Sequence, residues 1–330
     1  MKLRNKLLLS YLFVCIIPML LIGSYMTTIF KSKNLKTLEP LIMAQLIQLD
    51  ENISSFMKNV EDDVYNLSKD NTVRNKEDSG FTNFLDAEEE TFKYNIGIEE
   101  KNIVDIFTNF RESHDYVNSV YMGRESGGFV RSPKRNKPTQ YDPRQRDWYQ
   151  LAKSQPDIVV RTSPYKSVTT DDINIGFVKA LVNEENQVYG VVGTDITLND
   201  LTKIISNMNI GENSYVFLMD QNGTILTNPD SEKLFKKYDE IELSSLKDVY
   251  SDESGFGTFA EDKNKYLIYH TSPLLGWKIC AVMDKAVVER SIQETLRALL
   301  LILMGIAVLM IILAIQFSKK LTAPVLTGYK

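Results

Sequence analysis

Two uncharged apolar runs bracket the chain, Leu7–Ile29 near its start and Ala298–Phe317 near its end. Each has about the length needed to span hydrocarbon. Lys2, Arg4 and Lys6 flank the first run, and Lys319 and Lys320 follow the second. The positive-inside tendency then places both ends in the cytoplasm and the long region between the runs outside the membrane. Lys31, Lys33 and Lys36 blur that rule, but a long intervening region translocates largely regardless of charge. A cleaved signal is the alternative for the first run; its length and the lack of an A-x-A site before Lys31 argue against it. Beyond it, Leu35, Leu38, Ile42, Leu46, Leu49, Ile53, Phe56, Val60, Val64 and Leu67 recur at steps of three and four. That spacing predicts one amphipathic helix continuing out of the first run, ~50 Å long at 1.5 Å per residue. Pro40 is expected to kink it or mark a restart. The stripe can form a dimer seam, pack on its own domain, or do both in different portions.

The pattern then changes. Residues 71–96 are polar and acidic and read as a surface loop with a short helix. Asn102–Phe110 is helical in period, Val117–Met122 alternates as a strand, and Gly127-Gly128 turns into a second strand at Phe129–Arg131. A Pro- and Lys/Arg-rich connection, Ser132–Tyr141, follows; its Lys134, Arg135 and Lys137 are expected to be solvated or to help draw in an anionic ligand. Then come a strand at Ile158–Arg161 and two β-runs, Asn174–Val182 and Gln187–Asp195. Asn-Glu-Glu-Asn separates those two runs as a hairpin would. A helix follows at Leu198–Met208. A second series has strands at Tyr215–Met219 and Thr224–Leu226 around Asn222-Gly223, then a helix near Ser231–Lys237. Strands at Gly257–Ala260, Tyr266–Thr271 and Trp277–Met283 complete it. Two antiparallel sheets with flanking helices make an α+β chain.

Composition narrows the function. A net charge of −5 argues against nucleic-acid binding, which would need a basic face. Cys15 lies in an apolar run, so no disulfide with Cys280 is expected. His114 and His270 lack ligand-spaced neighbours, which argues against a zinc site, and no metal or cofactor is expected. Phosphate-loop, dinucleotide, zincin and hydrolase-elbow motifs are absent. Asp171-Asp172 is read as solvent-facing or at a pocket mouth with Asn174, rather than as a catalytic acid–base pair. The part in view is expected to be no enzyme.

The richest chemistry lies in Tyr141-Asp142-Pro143-Arg144-Gln145-Arg146-Asp147-Trp148-Tyr149. Asp142-Pro143 offers an N-cap and a proline at the first helical position. Arg146 then sits beside aromatic rings at the mouth of a short helix, where a guanidinium can grip a carboxylate through two parallel hydrogen bonds. Downstream, Tyr165 and Asp195 supply the opposite character, an acceptor and an anion suited to an ammonium. A bland alternative, core aromatics with a solvated arginine, fits the stretch taken alone. Asp195 could equally cap the following helix, although Thr197-Leu198-Asn199-Asp200 already resembles a capping box.

Tyr141, Arg146, Trp148, Tyr149 and Ala152 fit Y-x4-R-x-W-Y-x2-A, with Tyr165 and Asp195 following. This resembles the amino-acid-binding motif of the double Cache domain, a sensor module of bacterial chemoreceptors and sensor kinases. The resemblance implies that Tyr141, Arg146 and Trp148 hold a ligand carboxylate. Tyr149, Tyr165 and Asp195 would hold its amino group. It also implies a long N-terminal helix and two PAS-like units between two transmembrane helices. The expected segments are a cytoplasmic 1–6, a span at 7–30 and a helix with linker at 31–79. A membrane-distal unit at 80–208 and a membrane-proximal one at 209–284 follow. A connecting helix at 285–297 leads to a span at 298–317. Leu321-Thr322-Ala323-Pro324-Val325 resembles the opening of a HAMP linker at 318–330, and an output domain is expected beyond it.

The function expected on this resemblance is a homodimeric two-pass receptor in a bacterial plasma membrane. It would bind free L-amino acids and signal to cytoplasmic partners, chemotaxis first and a histidine kinase or cyclic-nucleotide output second. One alternative keeps the receptor and changes the ligand to an amine, polyamine or purine that does not need Arg146. Another is a tethered extracytoplasmic enzyme or adhesin, for which the chain shows no catalytic constellation.

Overall fold

The computed structural model describes residues 3–135, 139–167, 173–206, 208, 210–241, 249, 252–259 and 262–327. Helix α1 runs unbroken over Leu3–Leu67. Pro18 and Pro40 both lie inside it, so the expected restart at Pro40 does not occur. Among the described residues no helix is long and apolar enough to cross a membrane; much of Leu7–Ile29 and part of Ala298–Phe317 lie outside the described side chains.

After α1 come α2 (Ile98–Ser113), β1 (Val117–Arg124) and β2 (Phe129–Ser132). A 3-10 turn at Pro143–Gln145 leads into α3 (Asp147–Ser154), then β3 (Val159–Arg161), β4 (Tyr165–Lys166), β5 (Ile173–Val182), β6 (Val188–Thr197) and α4 (Leu198–Ser206). Residues 71–97 form turns and short bridges rather than the expected helix, and Phe81 and Phe84 are buried there. The second series is β7 (Tyr215–Met219), β8 (Ile225–Thr227), β9 (Ser254–Thr258), β10 (Lys265–Thr271) and β11 (Lys278–Asp284), continuing into helix α5 (Lys285–Thr327). The helix expected near Ser231–Lys237 is a single 3-10 turn, Ser231–Lys233. Asp171 and Asp172, expected near a pocket mouth, lie outside the described residues.

The strands form two antiparallel sheets of one design. The first has the order β2-β1-β6-β5-β3 with β4 also on β5, and the second β8-β7-β11-β10-β9. The apolar stripe of α1 covers one face of both. Ile42, Leu46, Leu49, Ile53, Met57, Val60 and Val64 share a single core with Ile175, Phe177 and Ile196 of the first sheet and Leu218, Ile268 and Ile279 of the second. Burying that row removes it from water at roughly 1.5–3 kcal/mol per large side chain. From Ile42 onward the stripe packs on its own chain, one of the arrangements expected of it. His270 Nε2 and Asp50 Oδ2, 3.2 Å apart, tie β10 to the same helix.

On the opposite face the two sheets differ. In the second, Phe217, Met219, Leu267, Tyr269 and Val282 fill it. In the first, period-2 alternation turns Tyr121, Gly176, Val178, Val191, Gly193 and Asp195 away from α1 and α2, and α3 with Phe84, Ala87, Phe92, Tyr94 and Tyr141 builds a second wall over them. A cavity remains between wall and sheet.

Candidate functional site

The cavity floor is a ladder of facing residues. Ser119 on β1 lies opposite Asp195 on β6, and Asp195 opposite Gly176 on β5. One step along, Arg131 on β2 lies opposite Tyr121, and Tyr121 opposite Gly193. The glycines make the floor hollow. A Cβ on Gly176 would come within 2.9 Å of the Tyr121 hydroxyl and 3.3 Å of Asp195 Oδ1, and one on Gly193 within 2.5 Å of a Val178 methyl.

Asp195 sits at the bottom, 5% exposed. Tyr165 Oη donates to its Oδ1 at 2.6 Å and Tyr121 Oη to the same oxygen at 2.8 Å. Ser119 Oγ donates to Oδ2 at 3.0 Å, and Asn174 Nδ2 approaches it at 3.4 Å. Burial pushes the Asp195 carboxyl above the ordinary carboxylate range, while these hydroxyls pull it back. The phenols of Tyr121 and Tyr165 are raised in turn, by burial first and by the Asp195 charge second. No cation lies within ion-pair distance of Asp195 among the described residues. A buried carboxylate held by neutral donors alone is a ready partner for an incoming ammonium.

The opposite wall is cationic and aromatic. Asp142 accepts from the Arg144 backbone N–H at 3.0 Å and opens the 3-10 turn, as its capping role requires. The helix proper begins four residues later, with Arg146 in extended backbone at its N-cap. That places the Arg146 guanidinium over the Tyr141 ring, 5.7 Å from its centre, with no hydrogen bond to the described residues. Trp148 Nε1 donates to Tyr141 Oη at 3.2 Å. Gly123 lets this wall approach the sheet: a Cβ there would meet Pro143 at 2.8 Å and Trp148 at 3.0 Å.

Tyr141, Arg146, Trp148, Tyr165 and Asp195 thus line one cavity, open at one side. The sixth expected residue does not join them. Tyr149 is wholly buried, and its hydroxyl donates to Glu125 Oε2 at 2.8 Å. The helical turn that sends Trp148 inward carries its neighbour about 100° round the axis, away from the cavity. Sequence reasoning missed Tyr121, Ser119, Phe129 and Arg131 as site residues, and Arg135, expected to be solvated, is buried in the cavity wall. Tyr121 and Ser119 share a strand face, a signal that was present, but which strand they faced was not visible. Among the described residues no group of three His, Cys, Asp or Glu side chains could hold a metal ion.

Two sheets of one strand order on a shared helix, with a polar trough on the first, define a tandem PAS-like α+β module. Residues 26–292 match the dCache_1 family, described as a Cache domain, and the chain belongs to that family. It is 30% identical over 296 residues to a probable methyl-accepting chemotaxis protein of Bacillus thuringiensis subsp. konkukian, covering 87% of this chain and 40% of that one. With the methyl-accepting chemotaxis protein McpA of Bacillus subtilis it shares 25% identity over 98% of this chain and 45% of the relative. The chain therefore spans less than half the length of these relatives. Among solved structures, the ligand-binding domain of the Pseudomonas fluorescens chemoreceptor CtaA in complex with L-serine aligns with a TM-score of 0.58 at 21% identity, over 76% of this chain and 99% of that one. The Pseudomonas aeruginosa amino acid chemoreceptor PctB in complex with L-Arg aligns at 0.56 and 23%, over 76% and 97%. At such identities the likeness is one of fold.

Proposed function

We propose that this chain is the sensing part of a methyl-accepting chemotaxis receptor and that the cavity over the first sheet binds a free L-amino acid. The observation that carries the reading is Asp195: buried, held by Tyr165, Tyr121 and Ser119, and facing a guanidinium wall across the cavity. The ligand ammonium sits on Asp195 with Tyr165, and its carboxylate meets Arg146 with Tyr141 and Trp148. Two ligand charges can be buried there because each meets an opposite, hydrogen-bonded charge. Tyr149 supports the wall from behind rather than touching the ligand. The chemotaxis relatives and the amino-acid complexes of CtaA and PctB support the assignment.

In this reading the runs at 7–30 and 298–317 cross the membrane, 31–297 lies outside, and the receptor works as a homodimer. The units at 80–208 and 209–284 divide the labour, the first binding and the second relaying. α5 continues directly from β11, so a shift of the second sheet reaches the segment after Phe317 along one helix. Only the part of the binding energy that favours one conformational state drives signalling.

A thermal-shift screen of the chain in detergent against the common L-amino acids tests the site. A ligand that binds the native state raises the melting temperature by mass action. The expected result is a shift with several amino acids that disappears in Arg146→Ala and in Asp195→Ala. Silence across the set at millimolar ligand would overturn the reading.

A further inference from the structure

We infer that the preferred ligands carry an acidic side chain, whose second carboxylate lies against Arg131 and Arg135; this rests on the amino-acid reading above. The argument is a charge count. The charged side chains lining the cavity among the described residues are Arg131, Arg135, Arg146 and Asp195. An amino acid with a neutral side chain pairs Arg146 with Asp195 through its own two charges and leaves two guanidiniums facing it.

Neither of those two has an anionic partner among the described residues. Arg135 is 5% exposed; its guanidinium stacks 4.8 Å over the Tyr141 ring and 5.3 Å over Phe84. Its Nη1 donates to the Thr139 carbonyl at 3.2 Å and Nη2 to Thr139 Oγ1 at 3.3 Å, both neutral acceptors. Burial lowers its pKa, which is the mark of a desolvated cation lacking a counter-charge. Arg131 is half-buried and, among the described residues, donates only to the Pro133 carbonyl, at 3.3 Å. Glu100 lines an adjoining cavity with Arg131 and Arg135, but among the described residues it makes no ion pair with either; it accepts from the Thr82 N–H at 2.7 Å and the Thr82 hydroxyl at 2.7 Å.

Position agrees with charge. Arg131 faces Tyr121 across the β1–β2 ladder, on the same side of the sheet as Asp195. Arg131 and Arg135 line the same cavity as Asp195 and Arg146, so a ligand anchored between the latter two has both guanidiniums within the space its side chain can enter. A planar carboxylate matches the two-pronged donor pattern of a guanidinium, and a carboxamide of the same shape offers one acceptor and no charge.

The test is titration calorimetry on the whole chain in detergent with L-aspartate against L-asparagine and L-glutamate against L-glutamine. At least one acidic member should bind about tenfold more tightly than its amide. Arg131→Gln should bring that ratio to about one while the amide's affinity changes little, and Arg131→Lys should restore part of it. Amides binding as tightly as acids in the unaltered chain would overturn the inference and leave the amino-acid site standing. No binding of any of the four would overturn the inference, and the thermal-shift screen across the common L-amino acids then decides the amino-acid reading separately. Arg135→Gln is expected to act in the same direction; if it lowers the melting temperature, the Arg131 pair still decides the matter.

Discussion

Tyr165 and Asp195, thirty positions apart in sequence, meet through a 2.6 Å hydrogen bond at the bottom of the cavity. The bond joins a two-residue strand to the end of β6 through their shared neighbour β5, since Tyr165 faces Asn174 and Gly176 faces Asp195. A carboxylate this deep with only neutral donors costs the ligand-free protein stability, and the ligand's ammonium offsets that cost.

Asp195→Asn should therefore separate stability from binding. The ligand-free melting temperature is expected not to fall, because a buried charge is removed. Affinity for amino acids should drop by roughly a hundredfold or more, as for a buried ion pair losing one partner. Melting curves with and without ligand measure both.

Binding should weaken in acid. Burial raises the Asp195 pKa in the folded chain, so this group's stabilisation of the ligand-free protein is full below its unfolded value and lost as pH rises through the folded one. The ammonium requires the ionised form, so affinity falls as pH drops through the raised value. Tyr121, Tyr165, Ser119 and the Arg131 charge set where that fall occurs. Dissociation constants between about pH 8 and about pH 4.5 check this for a neutral amino acid. A flat profile would mean that Asp195 meets no ammonium.

Arg146→Ala should leave the fold intact, since among the described residues the guanidinium makes a ring contact and no hydrogen bond. Carboxylate-bearing ligands should lose roughly a hundredfold in affinity. An amine without a carboxylate that bound equally well to both forms would point to the amine alternative instead.

Tyr149→Phe should do the reverse. The ring stays buried and the hydroxyl's bond to Glu125 is lost, which costs about 1 kcal/mol of stability. Affinity should be unchanged. A large loss of affinity without a loss of stability would return Tyr149 to the ligand.

Gly193→Ala should destabilise the whole first sheet. The new methyl would lie 2.5 Å from Val178 Cγ1 and 2.8 Å from the Phe177 carbonyl, and the overpacking costs about 1–3 kcal/mol. Denaturant midpoints with an unchanged slope would check it.

The sequence by itself determined what is local. Steps of three and four along Leu38–Leu67 are enough for a helix with one apolar face, and alternation around Asn222-Gly223 and Asn183–Asn186 is enough for hairpins. The block from Tyr141 to Trp148 announced its chemistry because its cation, rings and cap lie within a few residues of one another. Tertiary structure decided everything that depends on what faces what. Helical period shows that a face is apolar, not what covers it, and only the packed chain turns Ile42–Val64 onto two sheets at once. A strand's alternation puts Ser119 and Tyr121 on one side, but the register that sets them against Asp195 joins segments more than seventy residues apart. Tyr149 was misplaced for the same reason. Adjacent residues on a helix point about 100° apart, so standing next to Trp148 in the chain does not bring a side chain into the same cavity.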